Sequence, residues 1–495
     1  MNKKTLFFYI YFSSFAIVSC STESVIVNNT KTPTDTIASN QPAATVYVTS
    51  SDRAYELTKS SITLKPGQAS SATNRILLDT LTRYQTMDGF GGAITGSTCY
   101  NLLRMTDTDR AKFLKQTFST TEGYGFSYIR VAIGCSDFSL SEYTCCDKAG
   151  IENFGLTNEE TNYVIPVLKE ILAINPNLKI MAAPWTAPRW MKVTEPSGSV
   201  PYNSWTSGHV ATKYFQDYAT YFVKWIQAFQ LNGINIFAVT PQNEPLNGGN
   251  SASTLMFWSE EQTFIRDALG PKLLEVGLNT NIYAYDHNYD EYTYPLNIYN
   301  DAKAASYIAG AAFHNYLGNK SALLNVHDKS DKGLLFTEAS IGEWNNGRSL
   351  KARLIDDMNE ISLGTVNNWC TGVIIWNLML NTDKGPNRNG GCQSCYGAVD
   401  ISTSDYKTIT KNSHYFIIGQ LSAVVKPGAI RIGTVNGISL SGITSAAFVN
   451  PDGSYSVVLS NSNSVVQVVT ISDGTNFFNY SCPANSVVSF LWKKT

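Results

Sequence analysis

The sequence predicts a (β/α)8 TIM barrel with an accompanying antiparallel β-sandwich built from the N- and C-terminal segments. Residues 84–424 alternate short apolar runs with amphipathic helices, a pattern typical of a parallel sheet with right-handed crossovers. Eight such units in about 340 residues suit a barrel with long loops. Residues 46–83 and 425–495 instead carry β-branched runs, such as "GSYSVVLSNSNSVVQVVTISDG", between Asn, Ser and Gly turns. We therefore assign these flanking segments to the sandwich.

Eight strand candidates follow one another along the barrel segment. In chain order they are "MDGFGGA", "FSYIRVAIG", "LKIMAAPW", "INIFAVTP", "NIYAYDH", "GAAFHNY", "LLFTEAS" and "GVIIWNL". Helices are expected between them. In "LTNEETNYVIPVLKEILAI", Thr157 and Glu160 form a capping box ahead of one apolar face. A second helix, which begins near Tyr214, is stopped near Gly233.

The first residues predict export. Lys3 and Lys4 precede an apolar run of thirteen residues, which is too short to span a bilayer. The ending Ile-Val-Ser-Cys20 resembles a bacterial lipoprotein signal, in which the cysteine carries the lipid; an ordinary signal peptide is the alternative. We expect a signal peptide at 1–20, a flexible tether rich in Ser, Thr, Asn and Pro at 21–45, and a membrane-anchored lipoprotein at the outer membrane or cell surface.

Composition excludes several classes of partner. A net charge of −2 and a charged fraction of 15% argue against nucleic acid, which needs a clustered basic face. The chain has five histidines and no H-E-x-x-H pattern, so we expect no metal, no cofactor and no metal-dependent hydrolase. Aromatic residues make up 12% of the chain, which suits sugar binding and a large core equally.

The cysteines favour one local disulfide. Cys392 and Cys395 lie in the Gly-rich stretch "NRNGGCQSCYG", and an exported protein can oxidise such a pair. A zinc site is the alternative, but it would need a second pair of ligands, and Cys145 and Cys146 are adjacent rather than spaced for one.

Two carboxylates stand at strand ends. Glu244 follows "INIFAVTPQN" at the end of the fourth strand, and Glu338 ends "LLFTE", the seventh. Active sites of these barrels lie at the C-terminal ends of the strands, where the two side chains would face each other. A pair of carboxylates across a small gap is what glycoside hydrolysis requires. The alternative is two unrelated loop acids that face water.

The motifs resemble those of glycoside hydrolase family 30, the family of lysosomal glucosylceramidase. "AVTPQNEP" is similar to its acid/base motif and "LFTEASIG" to its nucleophile motif, and four further blocks occur in the family's order: "DGFGGAITGS", "IRVAIGCSDFS", "APWTAPRWMK" and "IIWNLMLN". The match runs from about Asp88 to Arg431. The resemblance implies a retaining β-glycosidase that acts on β-glucosidic bonds of glucosylceramide or of β-1,6-glucans.

The resemblance also implies roles for individual residues. Glu244 is expected to be the acid/base, Glu338 the nucleophile, and Asn243 a ligand of the sugar 2-hydroxyl. A retaining mechanism predicts that the two carboxyls lie about 5 Å apart. Because the acid must start neutral and the nucleophile ionised, we also expect the pKa of Glu244 to be raised. The other implied roles are sugar contacts at Asp137, Trp185 and Trp376, and support of the carboxylates by Arg130, Tyr316 and His314.

Two positions depart from glucosylceramidase. Gly96 stands where that enzyme has Asp, and Asn315 where it has Trp, so we expect differences at the edge of the pocket. A different class of function is a lipid-anchored, non-catalytic glycan-binding protein. Such proteins usually lack one of the two carboxylates, and both are present here.

Overall fold

The computed structural model describes residues 41–494 except 70, 71, 73 and 437–439. Residues from Pro42 onward form one compact unit. The predicted signal peptide, Cys20 and most of the predicted tether lie outside the described residues, and the first strand begins at Ala43, within the predicted tether. Within the described part of the chain, no helix combines the length and apolarity that crossing a bilayer would take.

Eight parallel strands form the predicted barrel. They are β1 (Gly89–Gly92), β2 (Tyr128–Ala132), β3 (Lys179–Ala183), β4 (Ala238–Val239), β5 (Asn281–Asn288), β6 (Ile308–His314), β7 (Gly333–Glu338) and β8 (Cys370–Ile375). Neighbours in sequence pair in order from β2 to β8, and β8 pairs with β1. A single bridge between Ala93 and Arg130 joins β1 to β2, so the barrel is nearly closed.

Helices cover the outside of the barrel. The α-helices are Gly96–Arg104, Asp107–Phe118, Ile165–Ile174, Phe215–Leu231, Trp258–Phe264, Gly270–Glu275, Thr293–Tyr299, Ala302–Tyr307, Ser321–His327, Leu350–Asp357, Leu363–Val366 and Ser413–Ser422. The π-helical turns Glu160–Val164, Ile265–Leu269 and Met358–Ser362 join some of these segments. At the start of the first predicted helix, the carboxylate of Glu160 accepts from the backbone N–H of Thr157 at 2.9 Å.

The N- and C-terminal segments combine in the predicted sandwich. Its ten-stranded sheet contains Ala43–Ser50, Thr58–Thr63, Lys65–Pro66, Arg75–Thr86, Ile430–Asn436, Ile443–Val449, Tyr455–Asn461, Gln467–Ser472, Asn476–Cys482 and Ser486–Trp492. The two segments interleave, because Ala43–Ser50 pairs with Ser486–Trp492 and Arg75–Thr86 pairs with Ile430–Asn436. The fold class predicted from sequence is therefore confirmed. Smaller sheets contain Ile341–Gly342 with Cys395–Tyr396, Lys192–Val193 with His209–Val210, and Met379–Asn381 with Val399–Ile401 and Ile409–Lys411.

The interior of the barrel is a packed core. Seven buried side chains from seven strands form one cluster inside it: Tyr128, Met181, Ala238, Tyr283, Ala312, Leu335 and Ile374. Large apolar side chains stabilise this layer by burying area from water, at about 25 cal/mol per Å². This packed layer supports the polar side chains that follow the strand ends.

Candidate active site

Glu244 and Glu338 meet at the C-terminal end of the barrel. Glu338 is the last residue of β7, and Glu244 follows β4 by five residues. The backbone of Glu244 has a positive φ of 45° and donates its N–H to the carbonyl of Asp286 at 3.1 Å, which turns the side chain inward. Both carboxylates are 6% exposed, and one oxygen of each lies within 4.8 Å of the other. This upper limit agrees with the separation of about 5 Å that is typical of retaining glycosidases.

Arg130 connects the two sides of the site. Its guanidinium is fully buried on β2 and donates to Oε2 of Glu338 at 2.6 Å and to Oδ1 of Asn243 at 2.6 Å. It also forms a 2.8 Å ion pair with Asp286. Charge-assisted bonds of this kind fix orientation as well as charge. Asn243, which we predicted to bind the sugar, therefore has an amide oxygen that already accepts a hydrogen bond from Arg130.

Asp286 was missed by the sequence interpretation. It lies on β5, is fully buried and accepts hydrogen bonds from the hydroxyls of Thr240 and Thr337 at 2.7 and 2.6 Å. Although burial alone would raise the pKa of Asp286, the Arg130 charge and the contact with His314 hold it far below its usual range. Unlike Glu338, which ends β7, Asp286 lies two residues before the end of β5, so the strand-end signal does not mark it.

His314 and Tyr316 contact the carboxylates from β6 and the loop after it. His314 places Nδ1 3.3 Å from Oε1 of Glu244 and Nε2 3.1 Å from Oδ1 of Asp286. The hydroxyl of Tyr316 donates to Oε1 of Glu338 at 2.9 Å. The structure thus brings both predicted supporting residues against the pair.

Two asparagines that the sequence interpretation missed hold the far side of Glu244. The side-chain amides of Asn247 and Asn250 donate to Oε2 at 2.8 and 3.1 Å. Both residues belong to "PLNGGN", whose composition is that of an ordinary turn. Their role therefore depends on where the turn lies, which no local pattern indicates.

An aromatic wall and Asp137 bound the cavity, whose volume is about 400 Å³. Trp376 lines it and stacks on Trp185, with ring centroids 4.9 Å apart; Trp185 itself is 1% exposed and does not line the cavity. Within the described chain, Oδ1 of Asp137 is buried without a hydrogen-bond partner. Burial, followed by the charges of Glu338 and Glu244, raises the pKa of Asp137 to about 8. A ligand hydroxyl would satisfy this oxygen.

The charge balance of the site differs from our expectation. Burial favours a neutral Glu244, but the hydrogen bond and charge of His314 outweigh burial and hold the pKa of Glu244 well below its usual range. Burial and the charge of Glu244 raise the pKa of Glu338 despite the opposing charges of His314 and Arg130. The prediction that the pKa of Glu244 is raised is therefore wrong, because we did not foresee a cation beside it.

That cation is His314. Burial alone would lower the pKa of the imidazole, but Glu338, Asp286 and Glu244 raise it to about 9. Glu244, His314 and Glu338 bring three potential ligand atoms within 4.8 Å of one another. Both ring nitrogens lie within hydrogen-bond distance of a carboxylate oxygen, so the protonated ring donates to both. We interpret the three residues as a hydrogen-bonded group and not as a metal centre.

The predicted disulfide is confirmed. Cys392 and Cys395 are bonded, which excludes both as zinc ligands, and the bridge forms part of the cavity wall. The other cysteines of the described chain are free and buried: Cys99, Cys135, Cys145, Cys146, Cys370 and Cys482. Two large apolar side chains that line the cavity, Trp344 and Leu317, are 55% and 59% exposed.

Two family models match consecutive parts of the chain. The model described as "Glycosyl hydrolase family 30 TIM-barrel domain" matches residues 87–425, and "Glycosyl hydrolase family 30 beta sandwich domain" matches residues 428–490. The two matches coincide with the barrel and with the C-terminal part of the sandwich.

Known proteins resemble the chain over most of its length. Endo-1,6-beta-D-glucanase neg1 of Aspergillus fumigatus is 32% identical over 434 residues, 82% of this chain and 85% of the relative. Lysosomal acid glucosylceramidase of Mus musculus is 30% identical over 432 residues, 83% of this chain and 82% of the relative. Among solved structures, the endo-beta1,6-glucanase BT3312 is 58% identical with a TM-score of 0.89, covering 91% of this chain and 99% of that one.

Proposed function

Because the chain belongs to glycoside hydrolase family 30 and is a β-glycosidase, we propose that it cleaves β-1,6-linked glucans with retention of configuration. The observation that carries the retaining mechanism is the close pair of buried carboxylates, Glu244 and Glu338. An inverting enzyme would need a wider gap, of roughly 6.5–9.5 Å, to hold a water between them.

The reaction proceeds in two displacements. Glu338 attacks the anomeric carbon while Glu244 protonates the glycosidic oxygen, so that a covalent glycosyl-enzyme forms and the leaving group departs neutral. Glu244 then takes a proton from water, which attacks the same carbon and releases Glu338. Arg130 and Tyr316 hold Glu338 with hydrogen bonds to different oxygens, which orients the carboxylate for attack.

The sugar is held against the aromatic wall. Trp376 offers a planar apolar face inside the cavity, and Asp137 offers an oxygen that has no partner within the described chain. Binding a sugar hydroxyl there satisfies a buried acceptor whose isolation costs about 1–3 kcal/mol.

The choice of β-1,6-glucan rests on similarity. The endo-β1,6-glucanase BT3312 shares 58% identity and nearly its whole length with this chain, whereas the mouse glucosylceramidase shares 30% identity. Glucosylceramide is therefore the second candidate substrate.

A panel of substrates tests this function. We expect the enzyme to degrade β-1,6-glucan in preference to β-1,3- and β-1,4-glucans and to glucosylceramide, with the β-anomer as the first product by NMR. An α-anomer as first product would contradict the retaining mechanism, and faster release of glucose from glucosylceramide would replace the proposed substrate. Glu338→Ala is the inactive control.

We also propose export and lipid attachment at Cys20, on the strength of the basic and apolar start of the chain. Expression of the full chain with a labelled fatty acid tests this: Cys20→Ser should lose the label, and label retained by that variant would contradict the proposal.

A further inference from the structure

His314 lies between the two glutamates at a point where the proposed mechanism requires a proton. Its Nδ1 is 3.3 Å from Oε1 of Glu244 and 4.0 Å from Oε1 of Glu338. The other nitrogen, Nε2, is anchored 3.1 Å from Oδ1 of Asp286. The ring is fully buried, so water does not compete for these contacts.

The charges around the ring favour one stored proton. Carboxylates approach it from three barrel strands or the loops that follow them: Glu244 after β4, Asp286 on β5 and Glu338 on β7. Arg130 neutralises only one of these charges, although it contacts both Asp286 and Glu338. Two acidic charges therefore remain opposite the ring.

Three further titratable groups face this cluster. The ring centroid of Tyr316 lies 6.0 Å from that of His314, and burial raises the pKa of Tyr316 well above its usual range, so Tyr316 is neutral. Asp137 lies across the cavity, and its pKa of about 8 reflects burial and the charges of both glutamates. His287 on β5 has its ring centroid 6.4 Å from that of His314, and burial lowers its pKa to about 4. His287 is therefore neutral at pH 7 and does not add a second positive charge to that of Arg130.

We propose that His314 stores the catalytic proton between turnovers and passes it to Glu244 when substrate fills the pocket. This inference rests on the proposed function. In the transfer, the Nδ1–H bond of His314 breaks and an O–H bond forms on Oε1 of Glu244, leaving a neutral imidazole that still donates Nε2–H to Asp286.

The driving force is desolvation. A bound sugar covers the part of Glu244 that is still exposed, and the loss of this remaining water further disfavours the charged carboxylate. The new hydroxyl turns from Nδ1 to the glycosidic oxygen, and its proton leaves with the alcohol. The water that later attacks gives its proton to Glu244, which returns it to His314. His314 is thus a positioning residue that acts through Glu244.

The alkaline limb of kcat/KM measures how tightly the free enzyme holds this proton. With His314 present, the pKa of its imidazole is about 9, so His314 and Glu244 together keep the proton up to about that pH. In His314→Gln, the amide preserves a hydrogen bond but binds no proton, so Glu244 alone must hold it. We expect the limb, measured on a β-glucoside with a poor leaving group, to move at least one pH unit lower. Asp137, whose pKa is about 8, is present in both proteins, so its presence alone does not account for a difference between their limbs.

His287→Gln is the matched control, and the alkaline limb of its kcat/KM profile should not move. A limb that stays in place or moves upward in His314→Gln would overturn the proposal, because a purely structural role lowers the rate without moving the limb. If His314→Gln fails to fold, ¹⁵N-histidine NMR of the wild type decides. The chain has five histidines, and substituting the other four singly assigns the signals.

In that experiment, His314 should carry protons on both nitrogens at pH 7.5 in the free enzyme, and a neutral ring would overturn the proposal. Activity retained by Glu338→Ala would instead defeat the proposed function. An active wild type with an inactive Glu338→Ala and an unmoved limb in His314→Gln defeats only the proton-storage inference.

Discussion

The carboxylate of Glu159 occupies the space beside the Cα of Gly96. A Cβ placed on Gly96 would lie 1.8 Å from Oε1 of Glu159, whose other oxygen accepts from the backbone N–H of Leu140 at 2.8 Å. Gly96 is buried and does not line the cavity. The departure of Gly96 from the Asp of glucosylceramidase therefore alters buried packing against Glu159 and not, as we expected, a residue at the edge of the pocket.

Gly96→Ala should lower the free energy of unfolding by about 1–3 kcal/mol, the usual range for overpacking a buried site. The loss should shrink when Glu159 is also replaced by Ala, because the colliding oxygen is then gone. Urea denaturation of the two single variants and the double variant measures this coupling. Gly155→Ala is the control, since a Cβ there meets no atom of the described chain within 4 Å. Additive effects at positions 96 and 159 would contradict the steric explanation.

The fold was largely predictable because the strands of a parallel barrel are short apolar runs at regular intervals. The fourth strand shows the limit of this signal. Its apolar run extends over eight residues, yet only Ala238–Val239 pair as a regular ladder, since the chain then turns to bring Glu244 inward. Sequence indicates the existence of such an element but not where its hydrogen bonds end.

The site was predictable only where a motif or a strand end marked it. Asp286 was missed because Tyr285 and Asp286 both have positive φ and the register with β6 shifts there. The alternation of residues along the strand therefore does not predict which side of the sheet each side chain faces. Asn247 and Asn250 were missed because contacts made by a turn depend on its tertiary position. The protonation of His314 was missed because it arises from three carboxylates that are far apart in sequence.

Asp286→Asn should reduce both stability and activity. Two buried cations, Arg130 and His314, would each lose one of their anionic partners, and breaking a buried pair costs about 3–5 kcal/mol. Urea denaturation and kcat on an aryl glucoside measure the two effects. Thr337→Val, which removes one hydroxyl donor to the same carboxylate, is the control and should cost only about 1 kcal/mol. Equal stability of Asp286→Asn and wild type would mean that Asp286 is not needed as an anion.

Glu261 should make stability depend on pH. It is fully buried and accepts from Tyr285 N–H and Tyr294 hydroxyl, and burial raises its pKa to about 7. Between its unfolded pKa near 4.3 and pH 7, the folded state binds more protons than the unfolded state, so stability falls as pH rises. Above pH 7 this loss is complete.

Glu261→Gln keeps a neutral side chain at every pH, so its stability should fall less between pH 5 and pH 8 than that of the wild type. Urea denaturation at the two pH values measures the difference, which should approach about 1 kcal/mol per pH unit in the titrating range. Glu195→Gln, at an exposed position, is the control. Parallel slopes for wild type and Glu261→Gln would show that the carboxyl stays ionised in the folded protein.

Removing each of the two glutamates should impair catalysis in a different way. Glu338→Ala cannot form the glycosyl-enzyme and should be inactive on all substrates unless azide replaces the nucleophile, which would give an α-azide. Glu244→Ala loses acid catalysis, a factor of roughly 10²–10⁴ that matters little for a dinitrophenyl leaving group. It should form the intermediate and then stall, because no base activates water. Azide needs no base and fits the space left by the side chain, so it should restore turnover and release a β-azide, read by NMR. A β-azide from Glu338→Ala, or none from Glu244→Ala, would reverse or refute the assignment.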